Sequence, residues 1–399
     1  MSYDVAAIRT HFPALREGAA HFDGPGGSQV PIEVAEAVAS TLSSAIANRG
    51  QVTAAERRAD RIVVEARQAM ADLLGADAGG VVFGRSMTQL TYDFSRAIAK
   101  DWRAGDEIVV TSLDHDANVR PWFQAAEARG VTVRQVDFDP GTGELSPEVI
   151  AAVLSERTRL VAVTAASNLI GTRPDVAAIS RLAHAAGALC YVDGVHLTPH
   201  APVDVAALGA DLFVCSPYKF CGPHLGVLAA APELLDTVRP DKLAPSSDAV
   251  PERFEFGTLP YELLAGTTAA VDFLAGLVPA AGSRRASVEQ SMAAVEKQES
   301  ELLAKLEAGL RQIDGVDIRS RASRRTPTVL LTVADLASAT VSRSLADAGV
   351  NAPAGSFYAA DCARVLGLAG VGGVRAGIGL YTDSTDVERL LAAVAALPR

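Results

Sequence analysis

The sequence predicts an α/β fold: a mostly parallel sheet with helices on both faces, followed by a smaller C-terminal α+β domain. Three observations point there. Short β-branched runs over 107–111, 131–138, 160–164, 189–192 and 212–215 alternate with alanine-rich helical patterns over 122–129, 147–154 and 176–186. Such alternation is how parallel neighbours connect, because the chain must cross back before pairing again. The runs are apolar throughout, as expected where helices cover both faces of a sheet. After about residue 265 this rhythm stops.

The elements follow in order. Residues 1–20 carry no sheet pattern and are expected to pack on the smaller domain. The sheet and its crossovers fill 21–265, with 226–230 expected as an edge strand because it follows a short Gly/Pro loop. The smaller domain, 266–399, follows. Around and beyond its start, helices are expected over 263–277, 287–312, 339–348 and 385–396, and strands near 316–318, 329–333 and 374–379. The longest apolar stretch, 263–282, is broken by Thr267, Thr268, Asp272 and Pro279, which suits a buried helix better than a membrane span.

Composition narrows the function. The chain has 399 residues, 49% of them apolar, so it can bury a large core. A formal charge of −11 without a basic tract argues against nucleic acid as partner. The N-terminus has no apolar leader, and Cys190, Cys215, Cys221 and Cys362 show no CxxC spacing, so reduced thiols and a cytoplasmic enzyme are expected. No metal site is expected.

Only five lysines occur: Lys100, Lys219, Lys242, Lys297 and Lys305. Lys219 lies in Ser216-Pro217-Tyr218-Lys219-Phe220-Cys221-Gly222-Pro223, directly after a strand. Strand C-termini are where open α/β sheets bind ligands. A lysine in apolar surroundings loses solvation, its ammonium form is disfavoured, and it becomes a Schiff-base candidate. A snorkelling surface cation is the other reading that local sequence leaves open. Asp193 ends the preceding strand and is followed by Gly194-Val195-His196. A carboxylate there suits the pyridine nitrogen of pyridoxal phosphate, which must stay protonated to accept electrons. A helix N-cap is the structural alternative.

These elements, with Val203-Asp204 through Leu208-Gly209-Ala210-Asp211 between them and Gly222-Pro223 after, resemble the class V aminotransferase family, and within it the cysteine desulfurase and selenocysteine lyase branch. The resemblance covers roughly residues 20–397. It implies a fold-type I transferase with a seven-stranded-type sheet, pyridoxal 5'-phosphate as cofactor, and a homodimer with sites at its interface. Carried over by position, Lys219 forms the covalent bond to the cofactor, Asp193 partners the ring nitrogen, and His115 stacks on the ring. Asn168 and His196 fall near the phenolic oxygen, and Asn168 also near substrate. Ser86, Met87 and Ser216 fall at the phosphate. Tyr218 stands where this branch often has His. Thr258 reaches the partner subunit's cofactor, and Arg375 grips the substrate carboxylate.

The resemblance also shows two departures. Tyr358 stands where the branch carries its nucleophilic cysteine, with Cys362 four residues later, and Pro353 replaces a second arginine. The expectation is a desulfurase-like lyase that acts on a small α-amino acid through an external aldimine and lacks the usual persulfide cysteine. An aminotransferase or epimerase on the same scaffold is the alternative, and a true cysteine desulfurase using Cys362 comes third. A nicotinamide enzyme is disfavoured: Gly24-Pro25-Gly26-Gly27 follows no suitable strand, and the glycines at 367–373 precede one.

Overall fold

A computed structural model describes residues 3–398 of the chain. Its centre is a seven-stranded sheet of β1 (Val81–Gly84), β2 (Glu107–Thr111), β3 (Thr132–Val136), β4 (Thr158–Thr164), β5 (Leu189–Asp193), β6 (Leu212–Cys215) and β7 (Gly226–Ala230). The order across the sheet is β1-β7-β6-β5-β4-β2-β3. Strands β2 to β6 pair in parallel, whereas β7 runs antiparallel to both of its neighbours, β6 and β1.

β7 is thus an interior strand, not the edge strand expected from the sequence. The chain between Cys215 and Gly226 makes one short 3-10 turn and a loop, too little for a parallel return, which needs a dozen or more residues and usually a helix. The edges are β1 and β3. β1 has only four residues, too few to show a period. β3 is largely exposed up to Val136, so the expectation of strands buried on both faces fails at that edge.

Alternate residues of each strand enter opposite cores, as the pleat requires. Phe83, Val109, Val161, Val192, Phe213 and Val227 pack on one face against the helices Ala54–Leu74, Val176–Ala185 and Tyr261–Ala275. Val82, Ile108, Leu160, Tyr191, Val214 and Leu228 pack on the other, against Met87–Ile98 and Arg120–Glu127. The 21-residue helix Ala54–Leu74 was not among the expected elements, although its start is written in the sequence. Thr53 and Glu56 form a reciprocal capping box, and Gly75 closes the helix in a left-handed conformation.

The C-terminal half folds on a four-stranded antiparallel sheet in the order Ala354–Gly355, Gly373–Gly377, Thr328–Val333, Val316–Ile318. Helices Arg284–Leu310, Ser338–Asp347 and Ser384–Ala395 cover it around Val329, Leu331, Val374 and Ala376. Near the N-terminus, Arg9 donates to the Tyr381 carbonyl and to Asp386, each at 2.6 Å. Ala20–His21 pairs in parallel with Val350–Asn351. Among the described residues no helix is long and apolar enough to cross a membrane.

Candidate active site

Strands β2, β4, β5 and β6 run the same way, so the loops after them meet at one edge of the sheet. There they surround a cavity of about 620 Å³. Its wall takes His115 from the loop after β2, Asn168 from that after β4, Asp193 and His196 from the end of β5, and Tyr218 and Lys219 from the turn after β6. Met87 enters from the helix after β1, and Tyr358 and Arg375 from the C-terminal half. Sequence positions more than 280 residues apart thus share one cavity.

Asp193 stands level with Val214 of β6, and the next residue must let the chain turn beside that strand. A Cβ on Gly194 would lie 1.8 Å from the Phe213 ring, so only glycine can follow the aspartate here. The Asp193 carboxylate accepts from the Val195 amide at 2.9 Å. Burial raises its pKa to about 6, while that amide and the nearby Lys219 cation hold it down. It remains mostly a carboxylate at neutral pH and gains from a cationic partner.

Lys219 Nζ donates to the Pro25 carbonyl at 2.5 Å and lies 4.8 Å from the centre of the Tyr218 ring. Burial lowers its pKa to about 7, Arg375 adds to the effect, and Asp193 opposes it. About half of such amines are uncharged at neutral pH, the form that attacks a carbonyl. His115 accepts at Nδ1 from the Ala117 amide at 3.0 Å, so its proton sits on the other nitrogen. Burial and then Lys219 lower its pKa to about 4, which keeps the ring neutral and free to stack.

The helix Met87–Ile98 begins at the cavity. Ser86 caps it by accepting from the Gln89 amide at 3.1 Å. Helix geometry leaves the Met87 and Thr88 amides without an acceptor inside the helix, and the dipole there favours an anion. β7 passes directly beneath: a Cβ on Gly226 would lie 2.2 Å from the Ser86 carbonyl carbon. Ser216, just before the lysine turn, is buried and its hydroxyl has no partner.

Arg375 lies 2% exposed in the strand Gly373–Gly377. Its Nη1 donates to the Asn168 carbonyl at 2.9 Å, its guanidinium carbon lies 3.7 Å from the centre of the Phe357 ring, and its Nε has no partner. Burial works against its charge, and the Asp23 carboxylate supports it. Phe357 and Tyr358 both take left-handed backbone, at φ 52° and 58°. That conformation costs energy for a side chain with a Cβ, so surrounding contacts must hold it. The Phe357 carbonyl accepts from Asn168 Nδ2 at 2.9 Å, and the Tyr358 carbonyl from the Asp116 amide at 2.7 Å. The Tyr358 ring lies 5.6 Å from His115 but is 77% exposed, at the mouth of the cavity.

Not every residue singled out in the sequence lines the cavity. Ser86 and Ser216 stand behind its wall, and Thr258 is exposed outside it. Thr258 follows Glu255, which is clamped by both ends of the Arg67 guanidinium at 2.8 and 2.9 Å. Cys362 is fully buried in the helix Ala360–Val365, does not line the cavity, and has its thiol pKa pushed up by burial. Sequence reasoning missed Pro25, Gly26 and Phe357 as cavity residues. The Gly24-Pro25-Gly26-Gly27 run was a visible signal, set aside because it matched no nucleotide turn. Asp114 was also missed. Its carboxyl accepts from Asn118 at 2.7 Å and from the Thr111 hydroxyl, and burial raises its pKa to about 8.

The cavity thus holds a partly uncharged amine, a buried carboxylate, a neutral imidazole and a helix N-terminus. The buried Ser216 Oγ, Asn168 Oδ1 and Arg375 Nε stand nearby without partners. Those groups fit a flat, phosphate-bearing heterocycle whose ring nitrogen is cationic, as pyridoxal phosphate is. Among the described residues no group of three or more His, Cys, Asp or Glu is arranged to hold a metal ion.

A sheet of this order with a lysine and an aspartate at adjoining strand ends defines a fold-type I enzyme. The chain belongs to the class V aminotransferase family, whose profile matches residues 20–390. It is 33% identical over 404 residues to an uncharacterized protein of Mycobacterium tuberculosis (strain CDC 1551 / Oshkosh), covering 100% of both chains. It is 31% identical to a probable cysteine desulfurase of Pseudomonas aeruginosa, covering 97% of this chain and 96% of that protein. The crystal structure of the Escherichia coli cysteine desulfurase CsdA superposes with a TM-score of 0.87 at 26% identity, over 99% of this chain and 98% of that one.

Proposed function

We propose that the protein is a pyridoxal-phosphate enzyme that cleaves the side chain of a small α-amino acid, a desulfurase-like lyase that works without a persulfide cysteine. The observation that carries this reading is the contrast between the cofactor end of the cavity and its mouth. Lys219, Asp193, His115 and Arg375 converge on one space, while Tyr358 stands at the mouth and Cys362 is buried away from it.

When bound, pyridoxal phosphate supplies the electron sink that stabilises negative charge at the substrate Cα. Asp193 holds a proton at the ring nitrogen. His115 covers one face of the ring and excludes water from it. Ser216 and the amides of Met87 and Thr88 bind the phosphate, with Ser86 fixing the helix end. Asn168, His196 and Tyr218 orient the ring edge. Lys219 holds the cofactor and then, as a free amine, moves the proton at Cα. Its depressed pKa suits that task at neutral pH. Arg375 binds the substrate carboxylate through two parallel N–H donors, which fixes the side chain toward the mouth. Tyr358 borders the space for that side chain.

A thiol that accepts sulfur must be a thiolate within reach of substrate. Cys362 meets neither condition, which weighs against a desulfurase that uses it. Transamination or epimerisation would use the same groups with Lys219 and remains the alternative reading. The protein is further read as a cytoplasmic homodimer, with Thr258 reaching across to the partner's cofactor. Its three parts are the segment 1–20, a cofactor domain over 21–265 and a small domain over 266–399. The test is incubation of the cofactor-loaded protein with a panel of amino acids, following sulfide, pyruvate, alanine and keto-acid release. Side-chain cleavage without a protein-bound persulfide supports the lyase. Stoichiometric keto acid with an aminated cofactor supports the transaminase, and loss of optical purity alone supports the epimerase.

A further inference from the structure

Behind the cavity wall lies a buried charged cluster that the chemistry above does not use. The turn after Asp193 carries two histidines, His196 and His200, one helical turn apart, 3% and 6% exposed. Their rings meet edge to face with centres 5.2 Å apart. His196 lines the cavity, and its Nε2 shares a hydrogen bond of 2.9 Å with the Thr328 hydroxyl. His200 does not line the cavity. Its Nδ1 lies 2.9 Å from Glu299 Oε2, on the long helix Arg284–Leu310. Glu299 is 1% exposed, and its second oxygen has no partner.

A carboxyl so deeply buried is either protonated or paired with a cation. Among the described residues His200 is the one group hydrogen-bonded to the Glu299 carboxyl. Burial raises the Glu299 carboxyl from its ordinary value and His200 opposes that rise, while His200 in turn disfavours a proton on His196 across the ring contact. Glu296 also acts on Glu299, and Glu299 in turn acts on Tyr3, Cys221 and Tyr381, but none of these four carries positive charge. On the cavity side His196 faces Arg375 and Lys219, both of which disfavour a proton on it.

We propose that Glu299 and His200 are positioning residues for His196: their buried ion pair anchors the 194–200 turn to the C-terminal half and sets the charge beside the His196 ring. A like charge at this separation disfavours a second proton, so His196 stays neutral and presents one donor and one acceptor edge. Burial and the His200 charge act on it in the same direction. Thr328 holds one edge, which leaves the other for the cavity. Because Thr328 lies on the strand beside Arg375, the same device fixes the ring against the element that binds substrate. This inference rests on the pyridoxal-phosphate reading of the cavity.

The experiment compares cofactor-loaded wild type with Glu299→Gln and with the double variant His200→Gln/Glu299→Gln, which keeps a neutral amide pair. Cofactor content, the thermal midpoint, the pH titration of the histidine ring resonances and the pH profile of turnover are measured. The expected result is retained fold and cofactor, with the His196 titration moved up by about one pH unit in both variants. The acid limb of kcat should move with it while KM holds. Unchanged His196 titration and pH profile in folded variants overturn the proposal. If Glu299→Gln fails to fold, the double variant makes the same comparison; failure of both assigns the pair to stability alone and also overturns it. A wild type that takes up no cofactor on Lys219 refutes instead the reading of the cavity, so the two failures are distinguishable.

Discussion

Replacing Lys219 by methionine in the cofactor-free protein should stabilise it, most strongly at acid pH. The reason is the location of the amine. Nζ sits mostly buried in the cavity near the Arg375 cation, with one carbonyl partner, and titrates at about 7. Against an ordinary lysine near 10.4, that displacement corresponds to about 5 kcal/mol spent on keeping the ammonium in the fold. The hydrogen bond to the Pro25 carbonyl, lost in the variant, offsets about 2 kcal/mol. The net gain expected for Lys219→Met is about 3 kcal/mol below pH 7.

The sign follows from proton counts. Between about pH 7 and 10.4 the unfolded chain keeps the proton that the folded state has released, so folding stability rises with pH across that window. Below it both states are protonated and the penalty is complete. The advantage of Lys219→Met should therefore shrink as pH rises through 7, vanish near about pH 9 and reverse by pH 10. Urea unfolding of both stripped proteins at pH 6, 8 and 10 measures it: groups remote from Lys219 cancel in the difference, whereas Asp193 and His115, which it acts on, titrate with it. A variant no more stable than wild type at pH 6, or a gap independent of pH, would refute the reasoning. The same protein should link pyridoxal phosphate covalently, with an absorption band near ~420 nm that borohydride abolishes, and the variant should not.

Three further outcomes are expected. Asp193→Asn should keep the cofactor yet slow exchange of the substrate Cα proton by about 100-fold or more, read by NMR in deuterated water; near-normal exchange would remove Asp193 from its role. Gly226→Ala should drive the β7 backbone into Ser86, lowering stability by about 1–3 kcal/mol and weakening cofactor binding, with the thermal midpoint and cofactor titration as readouts. Cys362→Ala should retain turnover, whereas Arg375→Ala should lower kcat/KM by about 30-fold or more through the substrate carboxylate; a persulfide trapped on Cys362, with activity lost in its alanine variant, would reverse that assignment.

The sequence by itself determined the class of fold and singled out Lys219, which the structure places in the cavity wall. Both rest on local signals: β-branched runs alternating with helical patterns, and a scarce residue type placed just after a strand. Asp193 was legible for the same reason, since a carboxylate followed by glycine at the end of a buried strand has few structural uses. The helix Ala54–Leu74 was equally legible in its capping box, yet passed over because its polar face blurs the apolar rhythm.

Only the tertiary structure decided the rest. The antiparallel insertion of β7 depends on which strand edge is free when the lysine turn ends, and no residue of 226–230 records that. The Pro25 carbonyl meets Lys219, and Phe357 covers Arg375, across separations that periodicity does not span. The Glu299–His200 pair joins residues 99 positions apart on elements with no shared pattern. The burial of Cys362 is of the same kind: the sequence shows a thiol four residues after Tyr358, but only the fold buries it and pushes its pKa up. Local chemistry reads a residue's capacities, whereas solvation and long-range neighbours fix its charge, and those exist only once the chain has closed around it.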